Sequence, residues 1–203
     1  MSLLRKAIAF HRERAAPMSR ALRALSRQES VSLVQIGAFV GDTDNDPLAK
    51  FIRNICVERG EASVVIFVEP IRAYFDRLRQ NYAGLSGIHF ENDAVAESTG
   101  IRDFFRLGVD PADYGYPPWL ARLGSLKPER MRTLWERYER NSEYQKFFLQ
   151  HQVVEKVECV TLDSLLKKHG IVQLDLSQID ADGHDYEILR TIDFTRICPR
   201  YIN

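Results

Sequence analysis

An α/β fold built on a mostly parallel, doubly wound sheet is predicted by three observations. Val31, Leu33, Val34 and Ile36 form a short apolar run that stops at a glycine-spaced turn, Gly37 to Gly41, before a helix-like segment. Near-continuous apolar runs of this length mark strands covered on both faces. A second such run, Ser63 to Val68, ends at Glu69-Pro70. Val172 to Ile179 alternates like a strand and delivers Asp180, Asp182, Gly183 and His184. Glycine and acidic residues at strand ends belong to the carboxyl edge of such a sheet, where nucleotide-like cofactors are held.

Composition agrees with a globular enzyme and excludes little. With 203 residues, 45% hydrophobic and 28% charged, the chain suits one domain with a substantial core. A formal net charge of +0 gives no reason to expect nucleic acid or an anionic membrane as partner. Cys56, Cys159 and Cys198 lie far apart without metal-type spacing, and their odd number argues against a disulfide framework. They are expected to be small buried hydrophobes in a reducing compartment, and no metal site is expected. No apolar run approaches a membrane span, and charges interrupt the amino terminus too early for a secretory signal, so the expected location is cytoplasmic.

In chain order, residues 1–30 form an amino-terminal helical segment. Leu4, Ile8, Leu22 and Leu25 suggest two helical pieces divided near Pro17. Arg5, Lys6, Arg12, Arg14, Arg20, Arg23 and Arg27 stand against Glu13 and Glu29, which fits a solvated basic face or a site for a phosphate-bearing partner. After the first strand, Gly37 and Gly41 open backbone angles closed to other residues, and Ala38 adds little bulk where a ligand would approach. Asp42 and Thr43 are suited to cap the next helix or reach a ligand amine or hydroxyl. Asp46-Pro47 opens a helix to about Glu58, with Leu48, Phe51, Ile52 and Ile55 on one face and Gly60 to end it.

Glu69 falls in the interval after the glycine turn where a cofactor ribose is gripped, since one carboxylate can accept from both hydroxyls. A solvated strand-end charge is the other reading. Ile71 to Tyr82 has helical spacing, with Tyr74, Phe75 and Leu78 expected in the core. Ile88 to Phe90 is a short third strand ending at Asn92-Asp93-Ala94, where the Asp can accept from an exocyclic amine and the Ala lets a flat ring lie close. Asn-Asp is also ordinary turn chemistry. Ile101 to Leu107 reads as an added strand, Gly108 to Pro118 as a loop, and Pro128 to Phe148 as a helix with Met131, Leu134, Trp135 and Tyr138 on one stripe. Val153 to Val160 is a further strand; Thr161 caps a helix over Leu162 to Lys168 that Gly170 closes. Asp180, Asp182 and His184 gather titratable groups at one strand end, which a proton-abstracting site needs, although carboxylates also settle at a helix start.

The runs VQIGAFVGDTDNDP, VEPIRAYFDRLRQNY, ENDAVAESTG and LDLSQIDADGHDYEILRTIDF, in that order and spacing, resemble the FkbM-type family of S-adenosylmethionine-dependent methyltransferases, over about Val31 to Asn203. The resemblance implies a Rossmann-like class I methyltransferase domain over 31–203, with S-adenosylmethionine as cofactor. It implies that Gly37, Ala38, Phe39, Gly41, Asp42 and Thr43 face the methionine part, Glu69 and Pro70 the ribose, and Asp93 and Ala94 the adenine. Residues 101–152 fall where related enzymes build a lid over the acceptor, so Tyr116, Trp119 and Ser125 become candidate acceptor contacts; packing of the insert is the equal alternative. Asp180, Asp182 or His184 would take the proton of an acceptor hydroxyl on a small or sugar-like molecule, and Asp180 would also favour the sulfonium. The family usually carries an acidic residue where Gln35 stands and an asparagine where Phe39 stands. It also continues past Asn203, so the sheet is expected to be incomplete at that end, which favours a homodimer or instability. Two readings stay open beside it: a nicotinamide-dependent reductase, although the three-glycine fingerprint is absent, and a non-catalytic cofactor-binding module.

Overall fold

The computed structural model describes residues 17–42, 47–130 and 142–203. The helical piece with Leu4 and Ile8, Thr43, Asp46 and the stripe of Met131, Leu134, Trp135 and Tyr138 lie outside the described residues. Five strands, β1 (Ser32–Ile36), β2 (Val64–Val68), β3 (Ile88–Glu91), β8 (Leu176–Ile179) and β9 (Tyr201–Ile202), form an all-parallel sheet in the order β3-β2-β1-β8-β9. The order reverses between β1 and β8. Register brings the carboxyl ends level, because Ile36 pairs with both Val68 and Ile179, and Val68 with Glu91. The residues that follow each strand therefore meet at one edge.

Both faces of this sheet are covered, which explains the apolar runs. On one face Leu33, Val65, Phe67 and Leu176 pack under α1 (17–25), α2 (Pro47–Arg59) and α3 (Arg72–Asn81). On the other, Val34, Ile36, Ile66 and Val68 pack under α5 (Leu162–Lys168) and α6 (Asp185–Arg190). The Thr161 side chain accepts from the Ser164 N–H at 3.1 Å and starts α5, and Gly170 at φ +65 follows its end. Among the described residues no helix is long and apolar enough to cross a membrane.

A second sheet has the order β4-β7-β5-β6, from β4 (Ala94–Val95), β5 (Gly100–Leu107), β6 (Gly124–Ser125) and β7 (Gln152–Val160). β5 runs antiparallel to β7 and β6, while β4 runs parallel to β7. Helix α4 (Ser142–His151) places Phe147 and Phe148 in a separate apolar cluster with Leu107 and Leu120.

Two expectations change. β8 starts at Leu176 and not at Val172, because Val172 is exposed and Asp175 turns its carboxylate to the Ser32 N–H at 2.9 Å before pairing begins. The last strand is two residues long. Cys56 and Cys159 are buried, but Cys198 is exposed on the segment between α6 and β9.

Candidate active site

The turn after β1 is shaped by contact with the turn after β8. Gly37 takes φ +75, and a Cβ there would overlap the backbone oxygen of Asp180. The N–H groups of Gly37 and Ala38 both donate to the Val68 carbonyl at 3.0 Å, tying the turn to β2. Gly37→Ala should thus combine left-handed strain with overpacking, a loss of about 3 kcal/mol in chemical denaturation. A stability change below about 1 kcal/mol would show that the two turns do not need their close approach.

Glu69 closes the next corner. Its carboxylate, 5% exposed, accepts from the Phe39 N–H at 2.8 Å and the Ile71 N–H at 2.9 Å. Phe39, a non-glycine residue at φ +51, is held in its left-handed conformation partly by that bond. Burial pushes Glu69 up to about 7, against the two N–H bonds that favour its charged form. Asn92 donates through Nδ2 to the carbonyls of Glu69 and Pro70, at 2.9 and 3.0 Å, so the third loop is tied to the second. Asp93 beside it is raised by burial and by Glu91, against Lys168.

These corners surround a cavity of about 920 Å³. Gly37, Ala38, Phe39, Gly41, Glu69 and Pro70 line it, as do Asp93, Ala94, Trp119, Asp180, Asp182 and His184. Three other candidates stand elsewhere. Asp42 is exposed and ion-paired with Arg53 at 2.6 Å. Tyr116 stacks on Phe147 at 4.1 Å inside the insert's own cluster. Ser125 is buried; its Oγ donates to the Asp182 carbonyl at 2.9 Å and accepts from the Lys127 N–H at 3.1 Å.

At the β8 corner the three acidic and basic candidates have different tasks. Asp180 opens onto the cavity while protein surrounds it, so burial raises its pKa, with Asp185 adding and Arg122 opposing. Asp182, at φ +44, accepts from the Gly124 N–H at 3.0 Å. Burial lifts it to about 6 against that bond, with the charge of Asp180 adding to the rise. His184 is buried and its Nε2 lies 2.8 Å from Glu97. Burial would raise Glu97, yet its own N–H, Arg102 and His184 together hold it down to about 2. Asp182 and Ser125 thus fasten the insert to the sheet edge, helped by Lys127 paired with Glu187 and by the Tyr74 hydroxyl donating to the Ala121 carbonyl at 3.0 Å.

The structure also recruits residues that the sequence did not single out. Tyr74, expected in the core, lines the cavity, and so do Phe104, Arg106 and Arg122. Phe104 and Arg106 share one face of β5 by strand alternation, the one signal that was available. For Tyr74 a helical stripe cannot separate a cavity wall from a core. Among the described residues no group of His, Cys, Asp and Glu is arranged to hold a metal ion. A family model described as methyltransferase FkbM domain matches residues 35–202. No curated protein and no solved structure matches the chain.

Proposed function

The chain belongs to the FkbM methyltransferase family, and from that premise we propose that it moves a methyl group from S-adenosylmethionine to a hydroxyl of a small or sugar-like acceptor, on a doubly wound Rossmann-like sheet. The observation that carries the reading is the meeting of Gly37, Glu69, Asp93 and Asp180 around one cavity at the carboxyl ends of parallel strands. The strand order, reversing between β1 and β8 with helices on both faces, supports the fold part of the proposal.

The residues fit the donor. Gly37 lets the turn after β1 pack directly against the Asp180 main chain, and the buried Glu69 carboxylate is fixed by two N–H bonds while keeping lone pairs for two ribose hydroxyls. Asp93 and Ala94 would take the adenine edge and face. When bound, S-adenosylmethionine supplies an already electrophilic methyl carbon. The chain then has to align the acceptor, exclude water and remove one proton. Phe104 and Trp119 wall the acceptor side with apolar surface. The Asp182 carboxylate, lifted toward neutrality by burial, would receive the hydroxyl proton. His184, engaged by Glu97, would position the start of α6.

Titration calorimetry with S-adenosylhomocysteine and NADH tests the reading. S-adenosylhomocysteine is expected to bind between roughly 1 μM and 1 mM, in the range of ordinary substrate constants, and NADH not to bind. The reverse preference would replace methyl transfer with hydride transfer.

A further inference from the structure

Two cations line the cavity among the described residues, and they differ in what they already hold. Arg106 is engaged: its Nε pairs with Glu155 at 2.6 Å and its guanidinium donates to the Leu107 carbonyl at 2.9 Å. Arg122 extends from the insert with its guanidinium carbon 5.5 Å from the centre of the Phe39 ring. Among the described residues no carboxylate or carbonyl accepts a hydrogen bond from it, so its donors remain open to a ligand. The platform beneath is rigid, because the Phe39 N–H is fixed by Glu69 and its ring leans on Tyr74 at 4.5 Å.

Across the same space stands Asp180, whose main chain is pressed against Gly37 and whose carboxylate opens onto the cavity. The charge of Arg122 is felt at Asp180, yet the two form no direct ion pair. An open guanidinium and an open carboxylate facing one crevice, not neutralising each other, are complementary to a zwitterion. A guanidinium takes a carboxylate through two parallel bonds, and a carboxylate takes an ammonium.

We propose that Arg122 and Asp180 clamp the α-amino-acid end of the methyl donor, Arg122 on its carboxylate and Asp180 on its ammonium. The clamp rests on the donor reading above and adds to it a task for the insert: residues 118–125, already fastened to the sheet edge through Gly124 and Ser125, hold Arg122 at the cavity. It makes Arg122 a determinant of donor specificity, separating a full donor from its nucleoside fragments.

The test compares S-adenosylhomocysteine with 5′-methylthioadenosine, which keeps the nucleoside and sulfur but lacks the amino-acid end. Affinities are measured by calorimetry for the parent chain, Arg122→Ala and Arg122→Lys. Arg122 is exposed, so both variants should fold, which thermal melting checks. Arg122→Ala is expected to weaken S-adenosylhomocysteine by about tenfold or more and to leave methylthioadenosine within about twofold, while Arg122→Lys regains part of the loss. Unchanged S-adenosylhomocysteine affinity, or equal loss for both ligands, overturns the clamp. A parent chain that binds both ligands equally well also overturns it and leaves the nucleoside reading standing; one that binds neither removes the donor reading itself.

Discussion

Glu69→Ala is expected to weaken S-adenosylhomocysteine by about a hundredfold, from the loss of two charge-assisted bonds at roughly 1.5 kcal/mol each. The carboxylate also anchors the Phe39 and Ile71 N–H groups, so the variant frees the left-handed Phe39 turn as well. Its titration gives a second readout. Burial raises Glu69 from 4.5 to about 7, so the folded chain without ligand binds more protons than the unfolded chain between those values. That contribution to stability is fully present below pH 4.5 and is lost as pH rises through 7, on the order of 3 kcal/mol. Ribose binding asks for the opposite, because hydroxyls donate to the charged form. S-adenosylhomocysteine affinity should therefore climb with pH and level off above about 7, with a proton released on binding at pH 6 and none at pH 8. Calorimetry in two buffers of different ionisation enthalpy measures that proton. Glu69→Gln should bind weakly with no pH dependence; unchanged affinity in the Ala variant would remove Glu69 from the ribose.

What the sequence revealed and what it hid divide along a physical line. Gly37, Glu69 and Asp93 were legible because a turn pressed against a neighbouring backbone admits few residue types, and because strand ends in a parallel sheet share one edge. The same logic exposed the covered strands, whose apolar runs serve two faces at once. Long-range pairing leaves no comparable trace. Nothing in the chain order announces that Gly124 will donate to Asp182, or that the Ser125 hydroxyl will turn to the Asp182 carbonyl and away from the cavity. Tyr116 shows the same limit, since an aromatic in a loop reads alike whether it faces a ligand or, as here, stacks on Phe147. Arg122 was invisible because its significance lies in the hydrogen bonds it does not make among the described residues.

Asp182→Asn is expected to lower kcat by about 10²–10⁴, the range of a lost general base. The substitution is chosen to spare the architecture: an amide oxygen still accepts from the Gly124 N–H, and asparagine tolerates the positive φ found here. Burial lifts Asp182 to about 6, so the parent rate at saturating donor should fall on the acid side of pH 6, where the carboxylate is protonated and cannot receive the hydroxyl proton. Saturation matters because Glu69, near 7, would otherwise impose its own limb through donor binding. In Asp182→Asn the limb near 6 should vanish with the residual activity flat, while S-adenosylhomocysteine affinity stays within about threefold. Ser125→Ala separates catalysis from fastening. It removes the hydroxyl that joins the Asp182 carbonyl to the Lys127 N–H, so it should cost about 1 kcal/mol of stability and leave the limb near 6 in place. An asparagine variant that keeps both the rate and the limb would hand the proton to Asp180 or His184 and leave Asp182 as the clasp between insert and sheet.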